Sequence, residues 1–168
     1  MTELNNQTLL EEINRTFGDA ITDAEEPYGL LTITTNRDTI YPLLQFLKEH
    51  EFMQFNFLTT LCGMHYPENK DKELGVFYHV HSFIHNVRIR IKVFFPVSDP
   101  TMPTVTTLWK TANWMERETY DFFGVIFKGH PDLRRILNVD EMTYFPMRKE
   151  HPLEDPTRED KIDTYFGR

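Results

Sequence analysis

The sequence predicts a two-layer α+β sandwich: a mixed, largely antiparallel five-stranded sheet with helices on one face, in the order α-β-β-α-β-β-β, followed by one further helix and an extended C-terminal arm. Three observations predict it. A chain of 168 residues, 40% of them hydrophobic, is long enough to bury one core without disulfides or metals. Apolar residues recur with the 3.6-residue period of a helix in two early segments. Around them, short stretches alternate apolar and polar residues at period two, as half-buried strands do.

The first helix is predicted from Leu4, Leu9, Leu10, Ile13 and Phe17, which share one stripe, with Gly18 as its stop. Residues 20–33 read as a hairpin. Glu26-Pro27-Tyr28-Gly29 places Pro and Gly where a turn needs them, and Leu31-Thr32-Ile33-Thr34 alternates. Asp38 is predicted to cap a second helix reaching Leu47, with Ile40, Leu43, Leu44 and Leu47 as its buried stripe and Pro42 in its first turn. Residues 55–61 read as the third strand, 65–73 as a polar loop, and 75–83 and 87–95 as two strands joined near His85-Asn86. In the last strand Val87, Ile89, Ile91 and Val93 alternate with Arg88, Arg90 and Lys92, the pattern of one buried and one wet face. This layer is expected to end near Pro96.

Residues 105–123 read as a further helix, with Leu108, Ala112, Met115, Thr119 and Phe122 on one face and Arg117 and Asp121 four apart on another. Gly124 ends it. Residues 129–137 read as a very short helix: Pro131 suits its first position, Asp132 its positive end, and Leu133, Ile136 and Leu137 share a side. Arg134 and Arg135 are then left facing outward. The domain plan is therefore 1–128 for the α+β unit and 129–168 for a docking arm. From about residue 143 the chain holds Pro146, Pro152 and Pro156 among many charges and cannot close a core alone. Its Tyr144, Phe145, Met147, Leu153, Tyr165 and Phe166 are large apolar groups that such an arm would bury on a neighbour.

Composition removes several classes of function. A formal net charge of −8 opposes broad binding to nucleic acid or anionic lipid. The lone Cys62 excludes an internal disulfide and cannot supply the thiolates of an iron–sulfur cluster. No run approaches the roughly 20 apolar residues that span a bilayer. The opening 16 residues, acidic and with Arg15 as their one arginine, fit neither a secretory signal nor a transit peptide. These features fit a reducing, cytoplasmic setting, with membrane contact only through partners.

The stretch WMERETYDFFGVIFKGHPDLRRIL, from Trp114 to Leu137, resembles the signature of the C-subunit family of the proton-pumping NADH–quinone oxidoreductases, respiratory complex I. It joins an acid–Arg–acid triplet (Glu116, Arg117, Glu118), an aromatic–Asp pair (Tyr120, Asp121), Gly124, Phe127, and Gly-His-Pro-x-Leu-x-Arg-Ile (Gly129, His130, Pro131, Leu133, Arg135, Ile136). Pro103-Thr104-Val105, Leu108-Trp109 and Asn113-Trp114 look like the family's lead into that helix. Further on, Tyr144-Phe145-Pro146-Met147-Arg148-Lys149 stands where many relatives carry Gly-His-Pro-Leu-Arg-Lys, keeping Pro146, Arg148 and Lys149 and losing the Gly-His pair.

The resemblance implies a non-catalytic subunit, peripheral on the cytoplasmic side of a bacterial cell membrane. It implies that this chain binds no cofactor, while FMN, iron–sulfur clusters and quinone belong to the assembled complex. The implied partners are the quinone-pocket D-subunit and the cluster-bearing B- and I-subunits. Its implied interface residues are those of the signature, with Arg134 and Arg135 favoured because Arg pairs bidentately with carboxylates. An equivalent member of a ferredoxin-fed dehydrogenase or membrane-bound hydrogenase complex is the nearest alternative.

The same residues hold the groups of other chemistries. Glu116, Glu118, Asp121 and His130 carry those of an acid–base site, but Glu116 and Glu118 are two apart on a helix and point roughly 200 degrees apart, with no nucleophile beside them. His79, His81 and His85 lie on a strand and its turn and form no recognised zinc spacing with a second Cys-His pair, which favours structural or hydrogen-bonding roles for them and for His130.

Overall fold

The computed structural model describes residues 4–151. Helix α1 (Asn6–Phe17) is closed by Asn5, whose side chain accepts from the Thr8 N–H, and ends at Gly18. The hairpin of β1 (Ile21–Glu25) and β2 (Leu31–Thr35) follows, turned by a short 3-10 segment at Pro27–Gly29. Helix α2 (Arg37–Glu49) leads into β3 (Phe57–His65), β4 (Leu74–Ser82) and β5 (Val87–Phe95). Sheet order is β1-β2-β5-β4-β3, with β2 parallel to β5 and every other pair antiparallel. The predicted α+β fold class and element order are therefore found.

The core lies between the sheet and its helices. Leu9 and Ile13 of α1 and Ile40, Leu43, Leu44 and Leu47 of α2 are fully buried against Ile33, Val76, Val80, Ile89, Ile91 and Val93. Each such side chain contributes about 1.5–3 kcal/mol. The alternation read in residues 87–93 thus marks the face that the helices cover.

Four details differ from expectation. The cap of α2 is Asn36, whose side chain accepts from the Thr39 N–H, and Asp38 lies inside the first turn. Pro42 consequently falls in the interior of α2, two positions further along the helix than predicted. Helix α3 begins at Ala112 and runs to Phe123, not from 105. Residues 105–111 close on themselves instead: Leu108 and Trp109 N–H both bond the Val105 carbonyl, and the Val105 N–H is taken by Glu116. A small parallel pair absent from the prediction, β6 (Thr101–Pro103) with β7 (Ile126–Lys128), flanks α3.

Helix α3 packs on β3 at the end of the sheet, and a glycine permits it. A Cβ on Gly63 would lie 2.5 Å from the Phe123 ring and 2.9 Å from Thr119. The fourth difference is that 129–137 forms no helix, for reasons that lie in α3.

Candidate functional site

Helix α3 buries charge. Glu116 and Asp121 are completely inaccessible and Arg117 nearly so, while Glu118, two residues from Glu116, is exposed. Each buried group is spent on the chain's own backbone, which removes the cost of leaving it unpaired. The Glu116 carboxylate accepts from the Thr104 hydroxyl at 2.6 Å and the Val105 N–H at 2.7 Å, fixing the loop that precedes α3. Burial raises its pKa to about 7, against the pull of those two donors.

Asp121 organises the segment after β7. Its carboxylate accepts the N–H groups of Ile136, Leu137 and Asn138 at 3.1, 2.8 and 3.1 Å, the Asn138 amide at 3.0 Å and Arg135 at 2.9 Å. Burial pushes its pKa up, but these donors outweigh it and hold the carboxyl well below the usual range. Arg117 completes the clamp: its Nε donates to the Arg134 carbonyl and a terminal amino group to that of Arg135, and its guanidinium lies over Trp114. Backbone groups that a helix would pair with each other are paired here with α3 side chains. That is why the predicted helix at 129–137 does not form.

Arg135 is accordingly not outward. Its side chain is 8% exposed and pairs with the carboxylate and carbonyl of Asp121 and with the carbonyls of Met142 and Tyr144. Arg134 does face solvent, held by Asp132 at 2.9 Å. His130 is structural: its Nε2 meets the Asn113 carbonyl at 3.1 Å and its Nδ1 accepts the Asp132 N–H at 3.0 Å. Gly129 turns the chain with φ of 84°, Pro131 is exposed, Leu133 packs on the core and Phe127 is buried in β7.

Phe145 seats the next stretch. Gly124 at φ 76° closes α3, and a Cβ there would lie 2.4 Å from the Phe145 ring. Tyr120 meets that ring edge-on, and the guanidiniums of Arg135 and Arg148 lie over it. Arg148 donates to the Phe123 carbonyl at 2.8 Å, Met147 N–H bonds that of Phe122, and Lys149 N–H bonds Nδ1 of the buried His65 at 3.0 Å. Phe145 thus packs, partly buried, against the C-terminal end of α3, and partly buried Pro146 follows it. Leu153, Tyr165 and Phe166 lie outside the described residues.

The predicted site residues therefore divide. Glu116, Arg117, Asp121, Gly124, Phe127, His130, Arg135 and Arg148 build the scaffold, while Glu118, Pro131, Arg134 and Lys149 face out. Glu118, Asp121 and His130 form no joint acid–base arrangement: one is exposed, one is consumed by five donors, and the third bonds backbone on both ring nitrogens. Gly63, His65 and Phe145 matter here without having been marked by charge or periodicity. Among the described residues no helix is long and apolar enough to cross a membrane, and no three His, Cys, Asp or Glu side chains gather as a metal would need.

Known proteins are similar to this chain in sequence and fold. The family model described as respiratory-chain NADH dehydrogenase, 30 Kd subunit, matches residues 33–157. The chain is 37% identical over 155 residues to the NADH-quinone oxidoreductase C-subunit of Geobacter sulfurreducens, covering 92% of this chain and 94% of that one. It is 42% identical over 125 residues to the corresponding C-subunit of a Nocardioides species, across 74% of this chain, and spans half of that longer relative, 50%. The solved trypsin-resistant fragment (1-134) of Nqo5 has a TM-score of 0.61 at 31% identity, covering 76% of this chain and 99% of the fragment. The signature wired through α3, the sheet that carries it and these matches agree: the chain belongs to the family of the respiratory-chain NADH dehydrogenase 30 Kd subunit.

Proposed function

We propose that the chain is a structural component of the peripheral arm of a proton-pumping NADH–quinone oxidoreductase, holding no redox group and performing no chemistry alone. It braces the quinone-pocket D-subunit and the cluster-bearing B- and I-subunits on the cytoplasmic side of the membrane. FMN, iron–sulfur clusters and quinone sit in its partners in the complex, and electron transfer between them needs neighbours held at fixed positions. Residues 129–168 supply the docking arm.

One observation carries this reading. The segment after α3 has little core of its own, yet buried charges of α3 hold its backbone in one path while large apolar side chains stay exposed on and beside it. Trp114 is 63% and Leu137 69% exposed, and Val139, Tyr144 and Met147 are also exposed. A scaffold that fixes backbone and leaves apolar groups outside is suited to burying them on a partner.

The test is a gentle detergent extraction with a tag on Met1, identification of the co-purifying chains and assay of NADH–quinone activity. Recovery within a flavin- and cluster-containing complex is the expected result. Recovery within a complex without a flavin-bearing NADH module reassigns the chain to a ferredoxin-fed or hydrogenase-type assembly. Recovery of the chain alone, under conditions that keep respiratory complexes intact, rejects the role in a complex.

A further inference from the structure

The five-stranded sheet has a second face that no helix covers among the described residues. Register sets Phe57, His81 and Arg88 side by side across β3, β4 and β5 at one end of it, then Thr60, His79 and Arg90, then Cys62, Phe77 and Lys92. At the first of these rows the β4–β5 turn adds Phe83 and Ile84. Phe57 and Phe83 lie with ring centroids 5.0 Å apart, and His81 meets Phe83 at 4.8 Å. Phe83 and Ile84 nevertheless remain 59% and 60% exposed. The turn itself is fixed: His85 Nε2 bonds the Phe52 carbonyl at 2.7 Å, and His81 Nε2 donates to Asn86 Oδ1 at 3.2 Å. These rings are held in place before any partner arrives, which lowers the ordering cost of binding.

Charge on this face is unbalanced in a specific place. Lys92 is held by Glu25 of β1, and Asp23 of the same edge strand also lies on that side. Arg88 and Arg90, at the aromatic end, pair with no described carboxylate. Arg90 Nε donates instead to His79 Nε2 at 2.8 Å, so the proton of the neutral ring sits on His79 Nδ1, which is buried without a partner among the described residues. Burial and the Arg90 charge both lower the His79 pKa, keeping the ring neutral. Arg90 is therefore oriented by a neutral group and not by a carboxylate, while Glu25, in its cross-strand row, is paired with Lys92. In a chain of net charge −8, two such arginines beside a tilted pair of phenylalanines invert the local sign.

The geometry points to a second docking surface here, Phe57, Phe83 and Ile84 flanked by Arg88 and Arg90, which takes an extended acidic segment of a neighbouring chain of the complex. Arg88 and Arg90 stand two residues apart on β5, about 6.7 Å, which is also the repeat at which alternate side chains of an extended segment face one way. Carboxylates two residues apart on the partner thus meet both guanidiniums, and its apolar side chains meet the rings. The surface lies at the far end of β3 from His65, where Lys149 is tied, roughly 26 Å away along the strand. The inference rests on the reading of the chain as part of a complex and deepens it, because a brace needs grips at two separate places.

The experiment places a photo-cross-linking amino acid at Phe83 or at Tyr144 in the tagged chain within cells, and identifies the cross-linked peptides by mass spectrometry. The expected adduct at position 83 maps to an acid-rich segment of another protein of the complex, distinct from the adduct at 144. The double variant Arg88→Glu, Arg90→Glu should lower the position-83 yield by about tenfold or more while leaving the 144 adduct, which also reports that the chain is folded and assembled. An adduct at 83 to a second copy of this chain, to its own residues 152–168 or to a segment without acids overturns the proposal. So does a yield that ignores the charge reversal, or no adduct at 83 where 144 reacts. Failure at both positions overturns the reading of the chain as part of a complex.

Discussion

The sheet with its first two helices and the segment from α3 onward are held by different forces. In the first, Leu43, Leu44 and Leu47 share one buried apolar cluster with Ile89, Ile91 and Val93, and stability grows with apolar area removed from water. In the second, three buried charges of one helix hold loop backbone by hydrogen bonds. Area tolerates local rearrangement, whereas a buried carboxylate with five donors does not. The contrast teaches why the path of the segment after α3 is fixed by charge: a loop has too few apolar side chains to fix its own path.

The largest expected effect separates the two regions. Asp121→Ala should destabilise by about 3–5 kcal/mol, because it strands Arg135 and three N–H groups in a buried site. Leu44→Ala in α2 should cost about 2–5 kcal/mol. The two differ in pattern: limited proteolysis and hydrogen exchange of Asp121→Ala should show exposure concentrated in 129–151, and uniform exposure across the sheet would merge the regions into one. The pH response sharpens the same division. The Glu116 carboxyl binds its proton more tightly folded than unfolded, so its contribution to stability falls by about 3 kcal/mol as pH rises from about 4.5 to about 7 and then levels. Asp121, shifted the other way, stabilises above the ordinary carboxylate range and loses that contribution in stronger acid. His65 and His79, both lowered by burial, favour the fold as pH rises through 6.5. Urea unfolding from pH 5 to 8 should therefore show a more positive slope with pH in Glu116→Gln than in the parent chain; equal slopes would remove the Glu116 assignment.

Gly124→Ala follows at roughly 1–3 kcal/mol, from positive φ and the displaced Phe145 ring. Its loss should be partly relieved in a Phe145→Leu background, measured as a double-mutant cycle. Smallest is Arg134→Glu. Its surface pair with Asp132 is worth well under about 1 kcal/mol, so the melting temperature should barely move while assembly into the complex falls. Unimpaired assembly would leave Arg134 as ordinary surface. Arg135→Glu is the counter-experiment: buried against Asp121, it should fail through folding of 129–151 and not through docking.

By itself the sequence determined the order of helices and strands through Phe95, the buried stripe of α2 and the buried face of β5, the glycine that ends α3 and the family, because periodicity and a contiguous signature are local properties of the chain. Only the tertiary structure decided that Arg135 turns inward, that 129–137 is not a helix and that Glu116 and Asp121 are buried. Each of these depends on what a side chain meets from residues 11 to 17 positions away, and the apolar spacing of Leu133, Ile136 and Leu137 cannot register that Asp121 has already claimed the backbone N–H groups of Ile136, Leu137 and Asn138. The closeness of α3 to β3 was silent for the same reason: Gly63 has no side chain to announce the ring that fills its place.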